Sequence, residues 1–464
     1  MSEGFFPAGD TIAAISTALS ESGLSVIRIS GPEAVDVADR VYRSVSGAKR
    51  LADQPSHTVH YGYIADGETL IDEVLVLLLR APHTYTLEDV VEIDCHGGLL
   101  VTRRILETVL SHGARAAEPG EFTKRAFLNG RIDLSQAEAV GDIIQARSNL
   151  ALASSISQLR GSLLQKIKEV RGQLLLEVAY IEAALDDPEH YSLDGFSEKL
   201  LAAVNEREKE LRRLYDSAEN GRMIKEGIRT AIVGRPNVGK SSLLNALLGE
   251  ERAIVTEIAG TTRDTLEETI SLGGLCLNLI DTAGIRDAED KVEQIGVRRA
   301  REAADRSDLI LYVADGSEEL NENDEEIIEM IRGRKAIVLL NKSDLTTKVT
   351  AEELAERTGR PVIPVSALEG TNLETVEETI RQMYFDGEIS FNDEVYITNV
   401  RQKQTLGEAI TALGRVRESL EAGMPEDFCS IDLIDACEAL GLITGETARE
   451  DMIDTIFAKF CMGK

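Results

Sequence analysis

The residues best suited to chemistry crowd into one stretch, Gly234-Arg235-Pro236-Asn237-Val238-Gly239-Lys240-Ser241, which runs on into Ser242-Leu243-Leu244-Asn245. Two glycines let the backbone wrap a phosphate chain with its amides turned inward, a lysine reaches the β and γ phosphates, and the next hydroxyl can ligate Mg2+. Asn237, Val238, Gly239, Lys240, Ser241 and Ser242 are therefore candidate nucleotide contacts, with Lys240 acting on the transferred phosphoryl group and Ser241 on the metal.

Three further motifs follow in order. Leu277-Asn278-Leu279-Ile280 leads into Asp281-Thr282-Ala283-Gly284, which offers a carboxylate for Mg2+ and a backbone amide for the γ-phosphate. The run Ala336-Ile337-Val338-Leu339-Leu340 leads into Asn341-Lys342-Ser343-Asp344, where Asp344 can accept two N–H bonds from the guanine edge, an arrangement adenine does not supply. Pro361-Val362-Ile363-Pro364-Val365 then delivers Ser366-Ala367-Leu368, whose backbone can meet the guanine carbonyl. The four motifs together point to GTP.

Each motif stands at the carboxyl end of an apolar run, so the elements that position them are buried strands of an α/β domain, predicted over about 227–385. Before it, Thr11–Thr17, Leu24–Gly31, Val74–Leu79 and Val90–Asp94 read as strands, and Glu33–Tyr42 and Leu99–Ser111 as helices. That is a compact α+β domain ending near residue 120. From Ser135 to about Ile181 the apolar residues recur every three or four positions, which predicts one long amphipathic helix broken at Asp186–His190. Further helices are expected over Glu198–Ser217, Asn399–Glu421, Ser430–Leu440 and Glu446–Phe460. The domains expected are 1–122, then an all-α domain of 123–226 plus 386–464, with 227–385 inserted into it.

The 464 residues carry a net charge of −31 that is spread along the chain, so RNA binding by composition alone is disfavoured and an RNA partner must use a local basic patch or a helper protein. Five widely spaced cysteines, Cys95, Cys276, Cys429, Cys437 and Cys461, support neither a disulfide framework nor a zinc site. With no apolar run long enough for a bilayer and no leader pattern at Met1–Gly4, the expected location is cytoplasmic, without membrane association. Cys95 and His96 are neighbours on a strand and face opposite ways, so they are expected to form no nucleophile pair, with His96-Gly97-Gly98 a structural turn.

Beyond the nucleotide motifs, Asp10-Thr11-Ile12-Ala13-Ala14-Ile15, the run Phe122-Thr123-Lys124-Arg125-Ala126-Phe127-Leu128-Asn129-Gly130-Arg131, the stretch Ala259-Gly260-Thr261-Thr262-Arg263-Asp264 and the ending Phe460-Cys461-Met462-Gly463-Lys464 resemble the tRNA modification GTPase family, MnmE/TrmE, from end to end. The resemblance implies a multidomain α+β and α/β fold: a folate-binding-like N-terminal domain that also dimerises, a helical domain, and an inserted Ras-like P-loop GTPase domain. It implies a GTP-driven step that adds an aminomethyl or carboxymethylaminomethyl group to the wobble uridine of tRNA. The implied partners are a second copy of the chain in a homodimer and the flavin-dependent MnmG/GidA protein.

Ile285 stands where Ras-like enzymes place a water-orienting glutamine, and by resemblance Glu293 takes that role. Potassium is implied in place of an arginine finger, with Asn237, Thr256, Ile258 and Thr261 as ligands, while Thr262 joins Ser241 at Mg2+. The segment Thr256-Glu257-Ile258-Ala259-Gly260-Thr261-Thr262 as a whole is implied in GTP binding. For 5-formyl-tetrahydrofolate or a related folate the family's contacts fall on Arg28, Glu88, Arg131 and Lys464, with arginine at 131 where lysine is common. Cys461 is implied near the folate or modification site, as nucleophile or as structural thiol. A regulatory GTPase switch in ribosome assembly is the competing class; it should carry an RNA-binding module, and no basic Gly-x-x-Gly loop follows the GTPase domain.

Overall fold

The computed structural model describes residues 9–249, 268–272, 274–280, 293–385 and 395–463, and within them the side chains of 293–299, 385 and 450 are not described. Two compact units divide the chain: Met1–Gly141 with Leu159–Leu176 and Cys437–Lys464, and Asp142–Gln158 with Glu177–Ala436.

The first unit is built on β1 (Ile12–Ile15), β2 (Ser22–Ser30), α1 (Ala34–Val41), β3 (Tyr42–Ser44), β4 (Thr58–Asp66), β5 (Thr69–Leu79), β6 (Val90–Gly97), α2 (Leu99–Ser111) and β7 (Arg115–Ala116). The strands form one sheet in the order β3-β4-β5-β6-β2-β1-β7, antiparallel except for the β1–β7 pair. Period two decides its faces. Ile27, Ile29, Val76 and Ile93 turn into a core shared with Val37, Ala38, Ile105 and Val109 of α1 and α2. Arg28, one residue out of phase, is on the other face opposite Glu92 of β6. There α3 (Glu121–Leu128) brings Phe122 onto Ile12 and Ala14.

The long helix expected from Ser135 to Ile181 is three: α4 (Leu134–Gln145), α5 (Asn149–Leu159) and α6 (Ser162–Asp186). Ser148 accepts the Ala151 amide and starts α5, and Gly161, at φ +89°, ends the helical path before α6. Leu163, Ile167, Val170, Leu174, Val178 and Ile181 are buried at their periodic positions, because a short break leaves the apolar phase of α6 itself intact.

In the second unit, α7 (Phe196–Asp216) and α8 (Ala218–Glu226) precede β8 (Ile228–Val233), α9 (Lys240–Leu248), β9 (Glu268–Leu272), β10 (Leu275–Ile280), α10 (Glu293–Arg306), β11 (Leu309–Asp315), α11 (Glu322–Ile331), β12 (Ala336–Asn341), α12 (Ala351–Thr358), β13 (Val362–Pro364), α13 (Leu373–Phe385) and α14 (Val400–Glu421). Two more helices, α15 (Asp427–Thr444) and α16 (Glu450–Phe457), complete the order, and α16 belongs to the first unit. The sheet order is β13-β12-β11-β8-β10-β9, parallel but for edge strand β9. Every residue of β11 and β12 is buried, since helices cover both faces: Leu243, Leu247, Val376 and Ile380 on one, Ile327, Ile331 and Leu354 on the other. From β8 the chain goes to one side of the sheet for β9 and β10 and crosses to the other for β11. The loop after β8 thus stands at the point where strand order reverses, the usual place for a ligand crevice.

Candidate functional site

Gly234 to Gly239 leave β8 and feed α9, whose first residue is Lys240. Gly239, at φ +99°, is the position where a side chain is excluded: a Cβ would collide with Asn341 Nδ2. Asn237 is also left-handed, at φ 62°. Lys240 Nζ folds back over the loop and donates to the carbonyls of Gly234 (2.8 Å) and Arg235 (2.7 Å). Those dipoles do not neutralise its charge, and burial pulls its pKa down to about 8. Ser241 and Ser242 are exposed at the start of α9, where unpaired helical amides favour an anion.

The guanine motif ends β12 at the same edge of the sheet. Asn341, 2% exposed, donates from Nδ2 to the Val238 carbonyl (2.7 Å) and accepts the Ala367 amide at Oδ1 (2.9 Å). Its side chain is spent joining the phosphate loop to the Ser366–Leu368 loop. Lys342, at φ 66°, pairs through Nζ with Asp315 Oδ2 at 2.6 Å. Burial raises the pKa of Asp315, but Lys342 and Ser317 outweigh it and the carboxyl stays below its usual range. Asp344 is exposed and is oriented by Ser366, whose Oγ donates to Oδ1 at 2.7 Å. That leaves Oδ2 for a ligand. The structure thus brings Lys240, Asn341, Lys342, Asp344, Ser366 and Ala367 to one edge, with Leu368 at its exposed rim.

Thr256, Glu257, Ile258, Ala259, Gly260, Thr261, Thr262, Asp281, Thr282, Ala283 and Gly284 lie outside the described residues, as does Lys464. Glu293 opens α10, and its side chain is not described.

A second cluster sits in the first unit. Arg28 pairs with Glu92 (Nε to Oε1, 2.7 Å) and donates from Nη1 to the Gly463 carbonyl (3.2 Å), which also accepts Ser16 Oγ (3.1 Å). Residue 463 therefore lies beside β1 and β2. Arg28 stands 5.9 Å from the Tyr85 ring centre and Arg131 stands 4.7 Å from it. Glu88 accepts Ser30 Oγ at 2.7 Å and Arg125 Nη1 at 3.2 and 3.3 Å. Arg125, almost wholly buried, also donates to Asp10 and Glu121. Burial opposes its charge, but Glu88, Glu121 and Asp10 more than compensate and its pKa lies above the ordinary arginine value. Arg28 and Arg131 thus flank Tyr85, and Glu88 is bound to Ser30, two residues along β2 from Arg28.

Cys461 is exposed, and its carbonyl accepts the Gly120 amide (3.2 Å). Cys95 is buried with its thiol pushed up to about 11 by desolvation, while His96 points to solvent and pairs with Asp72. His96 and Gly97 end a strand instead of forming the expected turn, because β6 stays paired to Gly97.

Sequence reasoning missed Arg125, Tyr85, Asp315 and Arg235. Arg125 lay inside a quoted motif, and Asp315 ends a buried apolar strand, Leu309–Asp315, where a carboxylate is out of place unless used.

A family model described as "MnmE helical domain" matches residues 134–461, and one described as "GTP-binding protein TrmE N-terminus" matches residues 11–131. The tRNA modification GTPase MnmE of Lachnoclostridium phytofermentans is 60% identical over 98% of this chain and 99% of its own length. That of Lactobacillus delbrueckii subsp. bulgaricus is 48% identical over 98% of each. Among solved structures, the G domain of the T. maritima FeoB iron transporter aligns with 34% of this chain and 98% of its own at 28% identity and a TM-score of 0.26.

Proposed function

Because the chain belongs to the MnmE family of tRNA modification GTPases, we propose that it binds GTP and hydrolyses it to GDP and phosphate as a step in modifying tRNA. The base modified is the wobble uridine, which is converted to its carboxymethylaminomethyl or aminomethyl form with a folate supplying one carbon of the group and the flavin-dependent MnmG/GidA protein as partner. The observation that carries the reading is the convergence of Lys240, its amine held by two carbonyls among the described residues, and Asp344, already aimed by Ser366, at the carboxyl edge of one parallel sheet. A triphosphate supplies an anion for the first, and guanine supplies the two donors that the second can accept.

The donors suit hard cations. The exposed hydroxyl of Ser241, with Thr262 and Asp281, would hold Mg2+, which supplies neutralisation of charge on the β and γ oxygens. The amide oxygen of Asn237, exposed on a left-handed turn, suits K+, with Thr256, Ile258 and Thr261 completing the shell. Glu293 would orient the attacking water. Glu88 retains acceptor capacity beside Ser30 and suits a pterin edge, Arg28, Arg131 and Lys464 suit the folate carboxylates, and Cys461 stands at the same chain end as Lys464.

The proposed domains are 1–122 for folate and homodimerisation, 123–226 with 386–464 as helical support, and 227–385 for GTP. No helix among the described residues is long and apolar enough to cross a membrane; the cytoplasmic location proposed follows from the tRNA substrate. Mass analysis of tRNA nucleosides tests the whole: cells lacking the protein should lose the modified wobble uridine, regain it with the wild type and not with Lys240→Ala. Unchanged nucleosides in the deletion would reject the tRNA role.

A further inference from the structure

The outer limb of the phosphate loop is tied down from a side that no nucleotide contact explains. The Arg235 side chain is nearly buried and forms ion pairs with Glu318 (Nη2 to Oε2, 2.9 Å) and with Asp324 (Nε to Oδ2, 3.6 Å). Asp324 is fully buried at the start of α11, where it accepts the Tyr312 hydroxyl from β11 at Oδ1 (2.9 Å) and the Asn321 amide at Oδ2 (3.1 Å). A buried carboxylate is costly without a cation, and Arg235 is the arginine set against it. Asp315, the last residue of β11, grips Lys342 of the guanine motif. The segment from the end of β11 to the first turn of α11, residues 315–324, therefore holds the base motif at one end and the phosphate loop at the other.

We propose that Arg235 and Asp324 are positioning residues that pre-shape the phosphate loop for the nucleotide, so that they govern guanine nucleotide affinity and leave the chemical step alone. The inference rests on the GTPase reading above. The Arg235 side chain is held by Glu318 and Asp324 while its carbonyl accepts the Lys240 amine, so fixing the side chain restrains the carbonyl. Ordering the loop in advance lowers the cost of binding by the same amount in ground and transition states, which changes KM and spares kcat.

The test uses the full chain with Mg2+. GDP affinity and steady-state GTP hydrolysis are measured for the wild type, Arg235→Ala, Asp324→Asn and the double variant, with circular dichroism melts as the control for folding. Arg235→Ala should raise KM and the GDP Kd about tenfold with kcat changed less than about twofold, and the double variant should be no worse than Arg235→Ala, since the Arg235–Asp324 pair through which Asp324 acts on the loop is already broken in the single variant. Arg235→Lys should recover part of the loss, because it keeps the charge and loses the fork. If Arg235→Ala or Asp324→Asn fails to fold, Arg235→Lys and Glu318→Gln, which alters an exposed acid, carry the same KM test. Unaltered affinity, a fall in kcat at constant KM, or additive losses in the double variant would overturn the brace. A wild type that binds no GDP would instead sink the nucleotide reading itself.

Discussion

The two clusters treat charge in opposite ways. Lys240 is wrapped by carbonyls, and no acidic partner is found for it among the described residues. Arg125, Arg28 and Arg115 are each already matched by carboxylates: Glu88, Asp10 and Glu121 around the first, Glu92 at the second, Asp10 and Glu121 at the third. Among the described residues the nucleotide edge thus sets no carboxylate against its buried lysine, and it gains most from an anion. In the β2–α3 patch Arg28 and Arg125 are already paired, so a ligand there must exploit spare lone pairs, the exposed Arg131 and the Tyr85 ring, with smaller gains per contact.

The largest effect should come from removing the unmatched charge. Lys240→Ala is expected to slow hydrolysis by about 100- to 1,000-fold, the usual loss for a preorganised cation at a developing charge. Folate affinity should not move, and a parallel loss there, measured by titration with formyl-tetrahydrofolate, would break the separation of the two clusters. Next, Asp344→Asn turns an acceptor for two N–H groups into an amide that also donates. GTP affinity should fall about 100-fold while xanthosine triphosphate gains, since its extra oxygen accepts. Competition between the two nucleotides measures the switch, and an unchanged preference rules out the base assignment.

Glu88→Ala should weaken folate by about ten- to a hundredfold, one charge-assisted bond's worth, with GDP affinity unchanged. The smallest effect is the dependence on pH. Lys240 has its pKa lowered to about 8 in the free protein by burial, and phosphates would raise it on binding. Affinity should therefore be nearly flat below pH 8 and weaken by about tenfold per unit above it, with uptake of close to one proton at pH 9. Calorimetry in buffers of different ionisation enthalpy reads that proton. Lys240→Arg, which stays charged, should abolish the uptake.

Much of the nucleotide edge was legible because its parts are contiguous. Residues 234–241 close on a phosphate through their own backbone, so glycine spacing and the lysine suffice, and the strands that precede the motifs announce themselves as apolar runs. The breaks after α4 and α5 were not legible: Ser148 and Gly161 act through caps and a left-handed turn, while the apolar period runs on through them. Nor did period or composition reveal that Asn341 is consumed as a tie between two loops, because that depends on where Val238 and Ala367 come to rest.

By itself, then, the sequence determined the phosphate loop, the guanine carboxylate and the period of most elements, since each is set by backbone geometry within a few residues. Tertiary structure decided which distant charges meet. Arg125 reaches Asp10 across 115 positions and Arg28 reaches Gly463 across 435. Such pairs follow from strand register and helix docking, which put Arg28 opposite Glu92 and off the packed face, and burial then requires each buried arginine to have acids around it.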